Sequence, residues 1–210
     1  MTQIIGVFSN KGGSGKTTVA VHLALMLSQR YSTALLDVDP QATASEWMRR
    51  RSPDKASPVT VPCPGTAAME QALALARKDG VQYVVLDLPP HSTAQIAGTL
   101  QVADLILIPV RPTAADLVTV AQTVNLVQAS GRPSGFVLNS AKPNISEVKD
   151  IVPLLTEYRF PIIAALGDRI AYSRGLPAGL GAHELGDAQA ASEVTNLSKR
   201  VLDRLKEKTT

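Results

Sequence analysis

Ser9-Asn10-Lys11-Gly12-Gly13-Ser14-Gly15-Lys16-Thr17-Thr18 follows the apolar run Ile4-Ile5-Gly6-Val7-Phe8 and precedes a helical pattern from Val19 to Leu27. Strand, glycine loop and helix in that order are the setting of a phosphate-binding loop. Without side chains at Gly12, Gly13 and Gly15, backbone N–H groups can close around phosphate oxygens. The loop aims those phosphates at the N-terminus of the next helix, where unpaired N–H groups and the dipole favour anions. Lys16 can then reach the β- and γ-phosphates, and the Thr17 hydroxyl can ligate Mg²⁺. The general pattern asks for glycine six residues before Lys16; Asn10 stands there, and Lys11 adds a second positive charge to the loop.

Around this loop the chain alternates strands and helices. Strand-like runs fall at Ile4–Phe8, Thr33–Asp37, Val59–Val61, Gln82–Asp87, Leu105–Val110, Gly135–Asn139 and Ile162–Ala165. Helical patterns lie near 17–29, 41–50, 66–78, 93–102, 114–129, 146–158 and 189–206. Val84-Val85-Leu86 and Leu105-Ile106-Leu107-Ile108 are apolar on both faces, as parallel strands covered by helices on each side must be. The expected fold is therefore α/β: a doubly wound, mostly parallel sheet with helices on both faces, in a single domain over residues 1–210. Ser52 to Pro64 carries four prolines and reads as a surface excursion.

Composition narrows the chemistry. The 210 residues are 45% hydrophobic and 19% charged, ordinary for a soluble globular protein. The single cysteine, Cys63, excludes an internal disulfide framework and a cysteine-held cluster built by one chain, and suits a reducing compartment. Strand one begins almost at Met1, leaving no room for a signal peptide, and no run of about 18 apolar residues exists to span a membrane. The formal charge of +3 leans mildly toward polyanions.

Ligands of open α/β sheets bind at the carboxyl ends of the strands. Strand two ends Asp37-Val38-Asp39-Pro40-Gln41, and strand four ends Asp87-Leu88-Pro89-Pro90. Asp87 fits the carboxylate that holds Mg²⁺ directly or through water. Asp37 and Asp39 form a second acidic cluster for metal and attacking water.

The Lys11-Gly12-Gly13-Ser14-Gly15-Lys16-Thr17-Thr18 form resembles the deviant Walker A motif of the ParA/MinD ATPases. Asp37-Val38-Asp39-Pro40-Gln41 resembles the D-x-D-P-Q segment of ParA-type members. Ile108-Pro109-Val110-Arg111-Pro112, followed by Asp116, resembles the family's P-x-x-P segment. Val137-Leu138-Asn139 is similar to the strand end whose Asn contacts adenine, and Arg169-Ile170-Ala171-Tyr172-Ser173-Arg174, then Gly179 to Leu185, is similar, more weakly, to the C-terminal region. With the loop starting at residue 10, the chain is most like the short ParF-type plasmid partition ATPases, without the N-terminal helix-turn-helix domain of larger relatives.

That resemblance implies slow, Mg²⁺-dependent ATP hydrolysis with Lys11, Lys16 and Asp39 as catalytic residues. It implies nucleotide held by Lys11, Gly12, Gly13, Ser14, Gly15, Lys16, Thr17, Thr18 and Asn139, and metal near Thr17, Asp37 and Asp87. It implies an ATP-dependent sandwich homodimer in which Lys11 reaches the partner's phosphates. It further implies nonspecific DNA binding, stimulation by a ParB-like centromere-binding protein, and a cytoplasmic, nucleoid-associated location without stable membrane association.

DNA contact of this kind would be to phosphates and blind to sequence. The candidates are Arg169, Arg174, Lys199, Arg200 and Arg204; a solvated helix face balanced by Glu193, Asp203 and Glu207 is the alternative. Arg49-Arg50-Arg51 reads as a helix end complementing the dipole. A MinD-like membrane-cycling ATPase would need a terminal amphipathic helix that enters lipid. The last helix has a stripe at Val194, Leu197, Val201, Leu202 and Leu205 but no aromatic, and core packing explains it more simply. A cargo-positioning ATPase of another kind stays open. The guanine signature Asn-Lys-x-Asp is absent.

Overall fold

The computed structural model describes residues 1–90, 94–142 and 146–207. Its strands are β1 (Gln3–Val7), β2 (Thr33–Asp37), β3 (Val59–Pro62), β4 (Tyr83–Asp87), β5 (Leu105–Val110), β6 (Ser134–Ala141) and β7 (Ile162–Gly167). They form one sheet in the order β3-β2-β4-β1-β5-β6-β7, with every pairing parallel. The helices are α1 (Lys16–Ser28), α2 (Thr43–Arg49), α3 (Thr66–Lys78), α4 (Ala94–Gln101), α5 (Ala114–Ala129), α6 (Ser146–Thr156), α7 (Ile170–Arg174) and α8 (Ala188–Glu207). The doubly wound parallel architecture expected from the sequence is what forms.

The strands alternate their side chains between two cores, as a pleat requires. Ile5, Val7, Leu35, Val85, Leu105, Leu107 and Val137 point to one side, where α1, α2 and α8 cover them. Ile4, Leu36, Val84, Leu86, Ile106, Ile108 and Phe136 point to the other, under α3, α4 and α5. Each fully buried aliphatic side chain contributes about 1.5–3 kcal/mol of transfer free energy, so both faces of every central strand help hold the sheet. Helix α1 is buried from Val19 to Leu25 because the sheet lies on one side and α8 on the other.

Three differences from the sequence reading have local causes. Helix α2 begins at Thr43 rather than 41, because the Gln41 N–H donates to Asp39 Oδ1 (2.9 Å) and Ala42 takes a left-handed φ of 51°. That Asx turn holds the chain out of the helix. Helix α6 ends at Thr156 rather than 158, and Arg159 turns the chain at φ 61°. Helix α7 and two short 3-10 turns, Leu176–Ala178 and Ala182–Glu184, occupy a stretch with no periodic signal.

Candidate nucleotide-binding site

Register brings the acidic strand ends to one level: Val7 pairs with Asp87, and Asp87 pairs with Asp37. The glycine loop leaves β1 beside them and enters α1. Gly13 and Gly15 have φ of 73° and 102°, which side chains rarely adopt. A Cβ on Gly15 would also lie 2.0 Å from Asn139 Nδ2. A Cβ on Gly12 or Gly13 would meet no protein atom within 4 Å, so the space over these residues is open.

Lys16 is 6% exposed, and its Nζ donates to the Lys11 carbonyl at 3.1 Å. Burial holds its ammonium below the usual pKa, while Asp87 and Asp39 pull the other way. Asp87 is buried, and neither of its oxygens has a well-aligned hydrogen-bond partner among the described residues. Burial pushes its carboxyl up to about 7, and the Thr17 hydroxyl and Lys16 ammonium ease this only in part. Asp37 Oδ2 accepts from the Ser45 N–H at 2.7 Å, while Oδ1 is buried without a partner among the described residues, and burial raises this carboxyl too. Ser14 Oγ is likewise buried and has no partner among the described residues.

Buried polar atoms left unpaired are expensive, and several in one place point to a missing partner. Here they comprise two carboxylates and a hydroxyl beside a buried lysine and a glycine cradle. That donor set fits a phosphate chain carrying a hard divalent cation. Among the described residues no group of three His, Cys, Asp or Glu side chains could hold a metal alone. A cation here would therefore be completed by the Thr17 hydroxyl, phosphate oxygens and water.

The remaining candidates are arranged around the loop. Asp39 is half-buried and caps the turn at Gln41. Asn139, 5% exposed, donates from Nδ2 to the Ser14 carbonyl at 3.0 Å and so props the loop from below. Lys11 pairs with Asp116 on α5 within the same chain, Nζ to Oδ2 being 3.1 Å. Asn10, where the general motif has glycine, ties the loop to α5: its N–H donates to Thr123 Oγ1 and its Nδ2 to Gln122 Oε1, each at 3.0 Å. Sequence reasoning gave Asn10, Gln122 and Thr123 no role, and no local signal links residues more than a hundred positions apart.

The basic residues considered for DNA do not form one patch. Arg169 grips Glu193 through two nitrogens (2.8 and 3.0 Å) near the start of α8. Arg174 lies with it, beside Asp168 and Asp187. Arg200 and Arg204 face the β7 side with Asp203 and Glu207, and Arg204 pairs with Glu207. Lys199 faces the other way, toward the end of α1. Of the run at 49–51, Arg49 and Arg50 pair with Glu46. The Arg51 side chain is only 4% exposed; it clamps Glu184 at 2.7 Å and donates to the Ala56 and Gly179 carbonyls. Arg51 is thus a tertiary clamp rather than a helix-end charge.

Comparison with known proteins agrees with this geometry. Residues 5–178 match the model of the CobQ/CobB/MinD/ParA nucleotide-binding domain. The chain is 27% identical over 207 residues to "Maintenance of carboxysome distribution protein A" of Halothiobacillus neapolitanus, covering 94% of this chain and 95% of that protein. It is 30% identical over 131 residues to "Protein ParA" of Rhizobium radiobacter, covering 59% of this chain and 55% of that one. In fold it is similar to the septum site-determining protein MinD of Pyrococcus horikoshii, solved in complex with Mg-ADP. The TM-score is 0.74 and the identity 17%, with 96% of each chain covered.

Proposed function

The chain belongs to the CobQ/CobB/MinD/ParA nucleotide-binding family, and we propose that it is a slow, Mg²⁺-dependent ATPase of DNA partition. In this reading ATP closes a sandwich homodimer that binds DNA without sequence preference, and a ParB-like centromere-binding protein stimulates hydrolysis. The observation that carries the ATPase reading is the cluster of unpartnered polar atoms, Asp87 Oδ1 and Oδ2, Asp37 Oδ1 and Ser14 Oγ, beside the buried Lys16.

Each residue has a role that its position supports. Backbone N–H groups from Gly12 to Thr18, at the N-terminus of α1, would bind the phosphates. Lys16 would hold the terminal phosphates by point charge. Thr17, Asp87 and Asp37 are the groups that would hold Mg²⁺, whose chemistry when bound is to offset phosphate charge. Asp39, less buried than its neighbours and at the same strand end, would orient the attacking water. Asn139 donates from Nδ2 to the Ser14 carbonyl, and its amide oxygen would accept from the adenine amino group. Lys11 would exchange Asp116 for the partner's phosphates, a charge-assisted contact buried at the dimer interface. Phosphate release in a Mg²⁺-dependent assay tests the assignment: Lys16→Ala should lose ATP binding, and Asp39→Ala should keep binding and lose turnover.

Membrane cycling is disfavoured by burial. Val194, Leu197, Val201 and Leu205 of α8 all lie in the core, so that helix has no free apolar stripe through Glu207. Among the described residues no helix is long and apolar enough to cross a membrane. One second reading is favoured by the relative named for carboxysome distribution: the cargo is a protein body rather than a plasmid. The two readings differ in what accelerates hydrolysis. A centromere-binding partner should act with its DNA site, and a cargo adaptor should act without any.

A further inference from the structure

The side of α8 that meets the end of α1 forms a cleft of about 410 Å³, lined by Gln29, Arg30, Tyr31, Lys199, Asp203 and Lys206, among others. Arg30, Lys199 and Lys206 are exposed, and among the described residues no ion pair or side-chain hydrogen bond engages them. They face a single acid, Asp203. Of the other candidate cations, Arg169 is offset by Glu193, Arg204 by Glu207 and Arg174 by the nearby Asp168 and Asp187, while Arg200 lies on the opposite flank of the helix with Asp203 and Glu207. Three unpaired cations in a polar cleft leave an unanswered positive charge on this face.

We infer that this cleft is a docking surface for the phosphate backbone of duplex DNA, with Arg30, Lys199 and Lys206 as its contacts. This rests on the DNA-binding reading above and assigns that contact to one face. The cleft's chemistry selects backbone over lipid. Its apolar liners, Met26 and Leu202, are partly buried against the core. The large exposed apolar side chains, such as Val118, Ile170 and Leu154, lie elsewhere, so nothing here would enter a bilayer. The Ser198 hydroxyl in the same lining adds a neutral donor suited to a phosphate oxygen.

The position also links DNA to nucleotide. Helix α1 starts at the glycine loop and ends at Ser28, two residues before Arg30. Its 13 residues span roughly 20 Å at about 1.5 Å per residue. The same buried helix therefore carries the nucleotide loop at one end and a wall of the cleft at the other.

The test is fluorescence anisotropy of a labelled random-sequence duplex at low salt, with the full chain plus Mg²⁺ and either a non-hydrolysed ATP analogue or ADP. Wild type should bind with the ATP analogue. Arg30→Ala/Lys199→Ala/Lys206→Ala should bind about tenfold or more weakly, with a salt dependence shallower by roughly 0.9 in log–log slope for each phosphate that is no longer neutralised. Arg200→Ala/Arg204→Ala should change affinity less than about twofold. If the triple variant melts early, Lys199→Gln/Lys206→Gln, which keeps Arg30 and the side-chain lengths, should still weaken binding. ATP-dependent binding that survives in both cleft variants would overturn the cleft assignment and leave the DNA reading standing. Wild type that binds no duplex in either nucleotide state, yet sediments with vesicles of equal parts phosphatidylglycerol and phosphatidylcholine, would overturn the DNA reading and the cleft with it.

Discussion

Lys11 Nζ lies 3.1 Å from Asp116 Oδ2, so in this monomer the second lysine of the loop is held by its own chain. Asp116 is buried and also accepts from the Thr113 hydroxyl at the start of α5. Any role for Lys11 across a dimer interface must first break this pair. Asp116→Asn should therefore favour the ATP dimer, and light scattering should find dimer at lower protein concentration than for wild type. Lys11→Ala should stay monomeric with ATP. Because Lys11 is partly exposed, its loss should lower monomer stability by no more than about 1 kcal/mol.

The loop depends on Gly15 for two separate reasons. Gly15→Ala would strain a φ of 102° and drive a methyl into the Asn139 amide. Calorimetry should show a lower melting temperature, with a loss of about 1–3 kcal/mol. Asn139→Ala in the same chain should recover part of that loss by removing the clash, but not the part owed to φ.

Two buried groups make stability respond to pH in opposite directions. His22 is fully buried: Nδ1–H donates to the Thr18 carbonyl (2.7 Å), and Nε2 accepts from the Ala182 N–H (3.0 Å). Burial lowers its pKa from 6.5 to about 4, so between those values the unfolded chain binds more protons and stability rises with pH. Asp87 is raised from 3.8 to about 7, so over that range the folded chain binds more protons and stability falls as pH rises. Each slope is at most about 1.4 kcal/mol per pH unit. Without nucleotide, wild type should be nearly flat from about pH 4.5 to 6.5, where the two slopes oppose. Asp87→Asn should gain stability with rising pH over that interval, and a His22→Gln chain that still folds should lose it. Chemical denaturation at several pH values reads the three slopes.

Arg51 is the side chain whose removal should hurt most outside the nucleotide site. It is almost wholly buried against Glu184, with Lys55 more distant at 3.6 Å. Arg51→Ala leaves that carboxylate poorly paired and should cost about 3–5 kcal/mol. Arg49→Ala, whose partner Glu46 is solvated and also paired with Arg50, should cost less than about 0.5 kcal/mol. Urea denaturation of the two variants beside wild type measures both costs.

Much of this was readable from local sequence. Runs apolar on both faces announced a covered parallel sheet, and the bounds of β2, β5, α3 and α5 match the sequence reading residue for residue. The glycine loop and the strand-end acids carry their chemistry in adjacent residues, so the sequence shows them directly. What it hides is partnership at a distance. Arg51 looked like a helix-end charge because its neighbours are arginines, and its partner Glu184 is 133 positions away. The partners of His22, namely Trp47, Tyr172 and Ala182, are distant in the chain and meet it only in the fold. Lys199 and Arg200 are neighbours in the sequence, yet these adjacent positions on α8 point to opposite flanks. Helix α7, only five residues long, is too short to leave a periodic pattern. His91, which directly follows the strand-end run Asp87-Leu88-Pro89-Pro90, lies outside the described residues.

The central claim is that Lys16, Thr17, Asp37 and Asp87 surround a site for ATP with Mg²⁺. Isothermal titration of ATP into the full chain tests it most directly, with Mg²⁺, with EDTA, and with Lys16→Ala in place of wild type. Tight binding that needs Mg²⁺ and disappears in Lys16→Ala is the expected result. Absence of ATP binding by wild type, or equal binding by Lys16→Ala, would contradict the account.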